Sequence, residues 1–191
     1  MIDLNNEVRD MYYRLEIEPS LNCGYLELED NECESLILGR LINEADLVLP
    51  YPFKIRVNPR HNLAMNDFYP SRNLMSKRLV ATLQSAGVKN LQIFPAEIKH
   101  NLTGEIIHDF VVVNVLGMVS CADLSKSDAT ALADVNYFHK LAIDANKTGG
   151  ALMFRLAESR IDVIVAEQVA KQIKEVNFHN LVLEPLMDFT V

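Results

Sequence analysis

The chain contains no tryptophan, and aromatic residues make up 7% of its 191 residues. Stacking platforms for bases or sugars are therefore poorly supplied. Cysteine is scarce too: Cys23, Cys33 and Cys121 form an odd set without CxxC spacing. That suits reduced thiols in a cytosolic protein better than a disulfide framework, with a Cys23–Cys33 bridge as the alternative. No long apolar run stands near either end, and residues 1–10 are polar and acidic rather than basic and then apolar. The expectation is a cytoplasmic chain with neither signal peptide nor membrane span.

Glycine is just as sparing. The one double glycine, Gly149-Gly150, precedes Ala151-Leu152-Met153-Phe154 rather than a helix, so it reads as a turn that starts a strand and not as a phosphate-binding loop. No serine is flanked by glycines in a GxSxG pattern, and only Cys121 has a partial claim to the setting of a reactive thiol. Neither nucleophile is supported.

What is present describes a globular protein. Hydrophobic residues make up 49% and charged residues 23%, close to the average for folded domains, and 191 residues suffice to bury one core. One domain spanning residues 1–191 is the expectation, with residues 1–60 and 61–191 as lobes if it divides. The net charge of -8 is unevenly spread. Residues 1–50 hold 12 acids against 3 bases, a net of -9, whereas residues 51–101 hold 8 bases against 2 acids, a net of +6. An acidic quarter repels nucleic acid and anionic lipid and attracts basic protein surfaces, which it steers together faster than diffusion alone.

Hydrophobic spacing gives the elements. Arg9 to Glu18 alternates around Tyr12, Tyr13, Leu15 and Ile17, a strand closed by Pro19. Leu21 to Glu34 reads as an exposed hairpin or loop, and Phe53 to Val57 as a strand with Phe53, Ile55 and Val57 inward. Leu74, Met75, Leu79, Val80, Leu83 and Ala86 fall at helical spacing before Gly87, which predicts an amphipathic helix over 72–86. Leu91 to Ile98 and Asp109 to Val119 form a hairpin across Asn101-Leu102-Thr103-Gly104. Strands follow over His139–Asp144, Ala151–Leu156 and Asp162–Val165, then a helix over 166–176 and a strand over Leu181–Glu184. The fold class is α+β, a mainly antiparallel or mixed sheet with two helices.

A weak internal repeat stands at an offset of 90 residues, with chance similarity of two amphipathic helices as the alternative. SKRLVATLQSAGVKNLQIFP from Ser76 aligns with AEQVAKQIKEVNFHNLVLEP from Ala166, setting Leu79 against Val169, Val80 against Ala170 and Leu83 against Ile173. Two helix-to-strand units are thus expected side by side on one sheet.

The five histidines are the remaining source of chemistry. His100 and His108 flank the hairpin turn beside Asp109, and across an antiparallel pair they offer two ligands and a carboxylate, the arrangement of a small metal-dependent hydrolase. No HExxH or HxH spacing supports it, and exposed turns hold such residues anyway. His61, His139 and His179 read as surface residues. Glu97, Glu105 and Asp109 would serve acid–base work only with a cleft and a raised pKa, which sequence does not show.

One segment stands apart in composition. Glu27, Glu29, Asp30, Glu32 and Glu34 crowd five carboxylates into eight residues with no base among them. Two readings stand, a solvated loop and a docking patch for a basic protein partner; a calcium loop is disfavoured because the DxDxDG pattern is missing.

Four stretches carry a family resemblance: NLQIFPAEI from Asn90, DFVVVNVLGMVSCAD from Asp109, KTGGALMFRL from Lys147, and Asp162 to Pro185 ending NLVLEP. In this order and spacing they resemble the bacterial immunity proteins of polymorphic toxin systems, the family numbered eleven. Tyr12-Tyr13-Arg14-Leu15 is similar to that family's tyrosine-rich first strand. The resemblance implies an α+β domain without catalytic residues or cofactor, whose partner is a toxin encoded beside it. It carries no motif of functional residues, so the acidic cluster stands on charge alone. A homodimer through strand ends and apolar faces is the scaffold alternative.

Overall fold

A computed structural model describes residues 11–18, 25–28, 34–56, 64–132 and 135–188. Its strands are β1 Tyr12–Ile17, β2 Tyr25–Leu28, β3 Tyr51–Arg56, β4 Phe68–Tyr69, β5 Leu74–Ser76, β6 Leu91–His100, β7 Ile106–Ile107 and β8 Phe110–Val115. They continue as β9 Met118–Val119, β10 Asp128–Leu132, β11 Val135–Lys140, β12 Ala142–Ile143, β13 Met153–Leu156, β14 Val163–Ala166, β15 Leu181–Pro185 and β16 Met187–Asp188. The helices are α1 Lys77–Ser85 and α2 Glu167–Lys174. The protein is α+β and mostly β.

Two sheets hold most of the strands. The larger runs β2-β3-β6-β8-β5-β4, with β7 beside β6, and the smaller runs β15-β1-β14-β13-β9. Pairing is mainly antiparallel, with parallel steps at β3–β6 and β13–β9. One core joins both sheets to both helices: Tyr13, Leu15, Val163 and Val165 come from the smaller sheet, Met75, Val111 and Val113 from the larger, and Leu79, Leu83, Val169 and Ile173 from the helices. Alternate residues face away from the helices, so each strand covers two layers. On the far side, Leu36 of the 34–50 connection packs with Phe94, Phe110 and Val112 of the larger sheet. Phe138, Leu141 and Ile143 pack there with Tyr12, Phe154 and Ile164 of the smaller one.

The repeat at an offset of 90 is visible in the backbone. Helices begin at Lys77 and Glu167 and the following strands at Leu91 and Leu181. In each unit the strands before and after the helix flank a third strand antiparallel to both, β8 in one and β1 in the other. The expected single sheet is corrected here. The two units lie in different sheets, because each interposed strand completes its own sheet and the units meet through their helices. Asn90 and Asn180 occupy equivalent positions, and each reaches across: Asn90 Nδ2 donates to the carbonyls of Leu116 and Met153 at 2.6 and 2.9 Å, and Asn180 Nδ2 donates to Asn66 Oδ1 at 2.8 Å.

The helix expected over 72–86 starts five residues later. Asn73 takes a left-handed turn with φ 51 and Leu74–Ser76 is a strand paired to β8, so Leu74 and Met75 face opposite sides of a sheet rather than one helical stripe. Ser76 then opens α1 as its cap, Oγ accepting from the Leu79 amide at 3.2 Å. The strand expected over His139–Asp144 is two pieces, β11 and β12, and Asp128–Leu132 adds a strand with no exposed-to-buried alternation.

Candidate partner-binding surface

The acidic cluster falls only partly within the described residues. Glu27 sits on β2, Glu34 opens a short 3-10 turn, and Glu29, Asp30 and Glu32 lie outside them. In the backbone register Glu27 stands opposite Lys54 and Lys54 opposite Lys99.

His100, His108 and Asp109 do not converge. The register Ile98–Ile107 and Lys99–Ile106 sets His100 across from Glu105, whose carbonyl accepts the His100 amide at 2.8 Å. The His100 ring turns back on its own loop, Nδ1 accepting from the amides of Leu102 and Thr103 at 3.2 Å each. His108 instead lines a cleft of about 510 Å³ with Leu49, Pro50, Lys77 and Pro95. Asp109 lines a neighbouring cleft of about 440 Å³ beside Met65 and His179. Among the described residues no group of three His, Cys, Asp or Glu is arranged to hold a metal ion. Cys121 is 1% exposed, and burial, reinforced by the carboxylates of Glu158 and Asp144, pushes its thiol up to about 12. It is a packing residue and a poor nucleophile at neutral pH.

A second charged group, unmarked in the sequence, is assembled from three distant segments. Tyr13 and Leu15 of β1 face the helices, which turns Arg14 and Glu16 to the far side of the smaller sheet. The guanidinium of Arg14 meets Glu16 at 3.0 Å, Glu184 at 2.5 Å and Asp162 at 3.7 Å, and also donates to the Phe138 carbonyl at 3.0 Å. Three carboxylates thus share one cation. Burial pushes the carboxyls of both Glu16 and Asp162 above the usual range, with Arg14 pulling each back only in part. Burial pulls Arg14 down in turn, and its three carboxylate neighbours outweigh that and hold it up. Glu16 and Glu184 remain about one-third exposed. Lone acids at positions 16, 162 and 184 give no local signal; the pairing Arg14–Glu184 and Glu16–Val182 across β1 and β15 is what groups them.

The bases lie on the opposite side. Across α1 and α2 stand Lys77, Arg78, Lys171 and Lys174 against the single acid Glu167. Arg78 is committed to Asp67 and Lys171 to Glu167, and Lys174 Nζ sits 4.2 Å from the centre of the Tyr13 ring. The helices carry more bases than acids, while the far face of the smaller sheet carries the Glu16–Asp162–Glu184 group, with Asp128 paired to Lys140 on the β10–β11 ribbon beside it.

An α+β protein, mostly β, with a buried arginine shared among three carboxylates on one sheet, is the class these features define. The model of the Immunity protein family (Imm11) matches residues 11–188, nearly the whole length, and the chain belongs to that family. No curated protein matches the sequence. Among the described residues no helix is long and apolar enough to cross a membrane.

Proposed function

We propose that this chain is an immunity protein that binds a cognate bacterial toxin in the cytoplasm and blocks its active site or substrate groove, acting by contact rather than turnover. Family membership over residues 11–188 carries the reading. The net charge of -8 supports a partner with a basic surface. Where the toxin is a nuclease its groove must be basic, and the acidic segment Glu27, Glu29, Asp30, Glu32 and Glu34 would stand in for the phosphate backbone there.

The test is calorimetric binding of the toxin domain encoded beside this chain, at 50 and 500 mM salt. Affinity is expected to fall about tenfold or more as screening shortens the reach of the charges. Replacing the five acids by Gln or Asn is expected to weaken binding as well. Salt-independent binding, or an unchanged affinity after that replacement, would remove the electrostatic role of the segment.

A further inference from the structure

A soluble protein does not ordinarily leave a two-stranded ribbon with an open edge and exposed apolar side chains uncovered. Among the described residues β10 pairs with β11 alone, and all five residues of β10 are exposed. β11 is the docked strand: Phe138 is buried among Tyr12, Phe154 and Ile164, while the Asn136 amide donates to the Glu158 carbonyl at 3.0 Å. Alternation then turns Tyr137, 45% exposed, outward, next to Leu132, 63% exposed and paired with Val135. The ribbon stands beside the Arg14 group, since Arg14 Nη1 bonds the Phe138 carbonyl. Val182, also exposed, stands opposite Glu16 on the same side.

We infer that the outward face of the β10–β11 ribbon and the adjoining Glu16–Asp162–Glu184 face of the smaller sheet form one docking surface for a basic protein partner, an arginine or lysine meeting Glu16 and Glu184 while an apolar side chain packs on Tyr137 and Leu132. The inference rests on the immunity reading and adds a contact for the toxin distinct from the segment Glu27–Glu34. Charge complementarity selects the occupant: three carboxylates around one guanidinium attract a cation, and the helices on the other side carry more bases than acids. An apolar centre containing an exposed tyrosine, bordered by charge, is the anatomy of protein interfaces.

Three variants and a control test it, each checked by thermal melting and far-UV dichroism. Glu16→Gln/Glu184→Gln keeps amide oxygens for Arg14 and removes two charges; Tyr137→Ala and Leu132→Ser alter exposed side chains. The control, Lys171→Glu, lies on α2. Calorimetry with the catalytically disabled toxin domain encoded beside this chain is expected to show about tenfold or greater loss of affinity for the carboxamide pair and for Tyr137→Ala, with the control within about threefold of the parent. Parent-like affinity in all three surface variants would overturn the surface while leaving the immunity reading intact. Failure of the unaltered chain to bind would overturn both, and an effect confined to Lys171→Glu would move the contact to the helices.

Discussion

Arg155 is 1% exposed, and its guanidinium reaches no carboxylate among the described residues. It donates instead to two neutral oxygens, Asn73 Oδ1 and the Arg160 carbonyl, and burial pulls it down to about 10. The side chain is retained because a planar fork can hold the left-handed turn at Asn73 and the loop at Arg160 together. Lysine cannot span both oxygens and would shed its proton at that depth. Arg155→Lys is therefore expected to lower stability by about 2 kcal/mol, read from urea unfolding followed by dichroism; equal midpoints would contradict the assignment. Asp67 is the opposite case. Burial pushes its carboxyl up, but hydrogen bonds from Arg78, Ser76 Oγ at 2.5 Å and the His179 amide at 2.6 Å outweigh burial and hold it below the usual range. Because the folded value lies below the unfolded one, its stabilisation is complete above about pH 4 and fades as pH falls further. Asp67→Asn should cost about 2 kcal/mol at pH 7, and the gap to the parent should narrow on titration toward pH 3.

At the scale of elements, the two helix units differ at their first residue. Ser76 and Ala166 share nearly the same backbone, φ -65 and ψ 147 against φ -72 and ψ 159, yet Ala166 supplies no side-chain cap to α2. Ala166→Ser is expected to add about 0.5–1 kcal/mol by accepting the amide two or three residues on, measured as a higher unfolding midpoint; a lower one would mean that crowding at this 9% exposed position outweighs the cap. The same comparison shows what the sequence discloses and what it hides. Leu79, Val80 and Leu83, and their counterparts Val169, Ala170 and Ile173, mark both helices because one face of each is buried. Leu74 and Met75 mislead because two adjacent apolar residues fit either period, and the left-handed turn at Asn73 decides the matter. β10 escapes notice because neither of its faces is buried, so Asp-Ala-Thr-Ala-Leu carries no alternation. The charge-dense segment from Glu27 is conspicuous in composition, whereas the register of Glu27 with Lys54 and the Arg14 group exist only through strand pairing, which spacing within one segment does not encode.

For the whole molecule, the shared core sets cooperativity. Side chains from both sheets and both helices pack into one cluster, and the two cross-reaching asparagines tie each unit to the other half. Neither sheet has a private helix layer on which to persist. Urea unfolding is expected to be a single transition, with far-UV dichroism and tyrosine fluorescence, the signal left by the absence of tryptophan, superimposing. Two separated transitions would show that the sheets are independent.

The placement of β1 also governs the order in which this chain can assemble. The strand leaves the ribosome before all the others described, yet its hydrogen-bonding neighbours β14 and β15 are among the last to emerge. A nascent chain can close the larger sheet first, but Tyr12–Ile17 meets its partners only once residues 163–185 have been made, and the carboxylate face built on that strand matures only then.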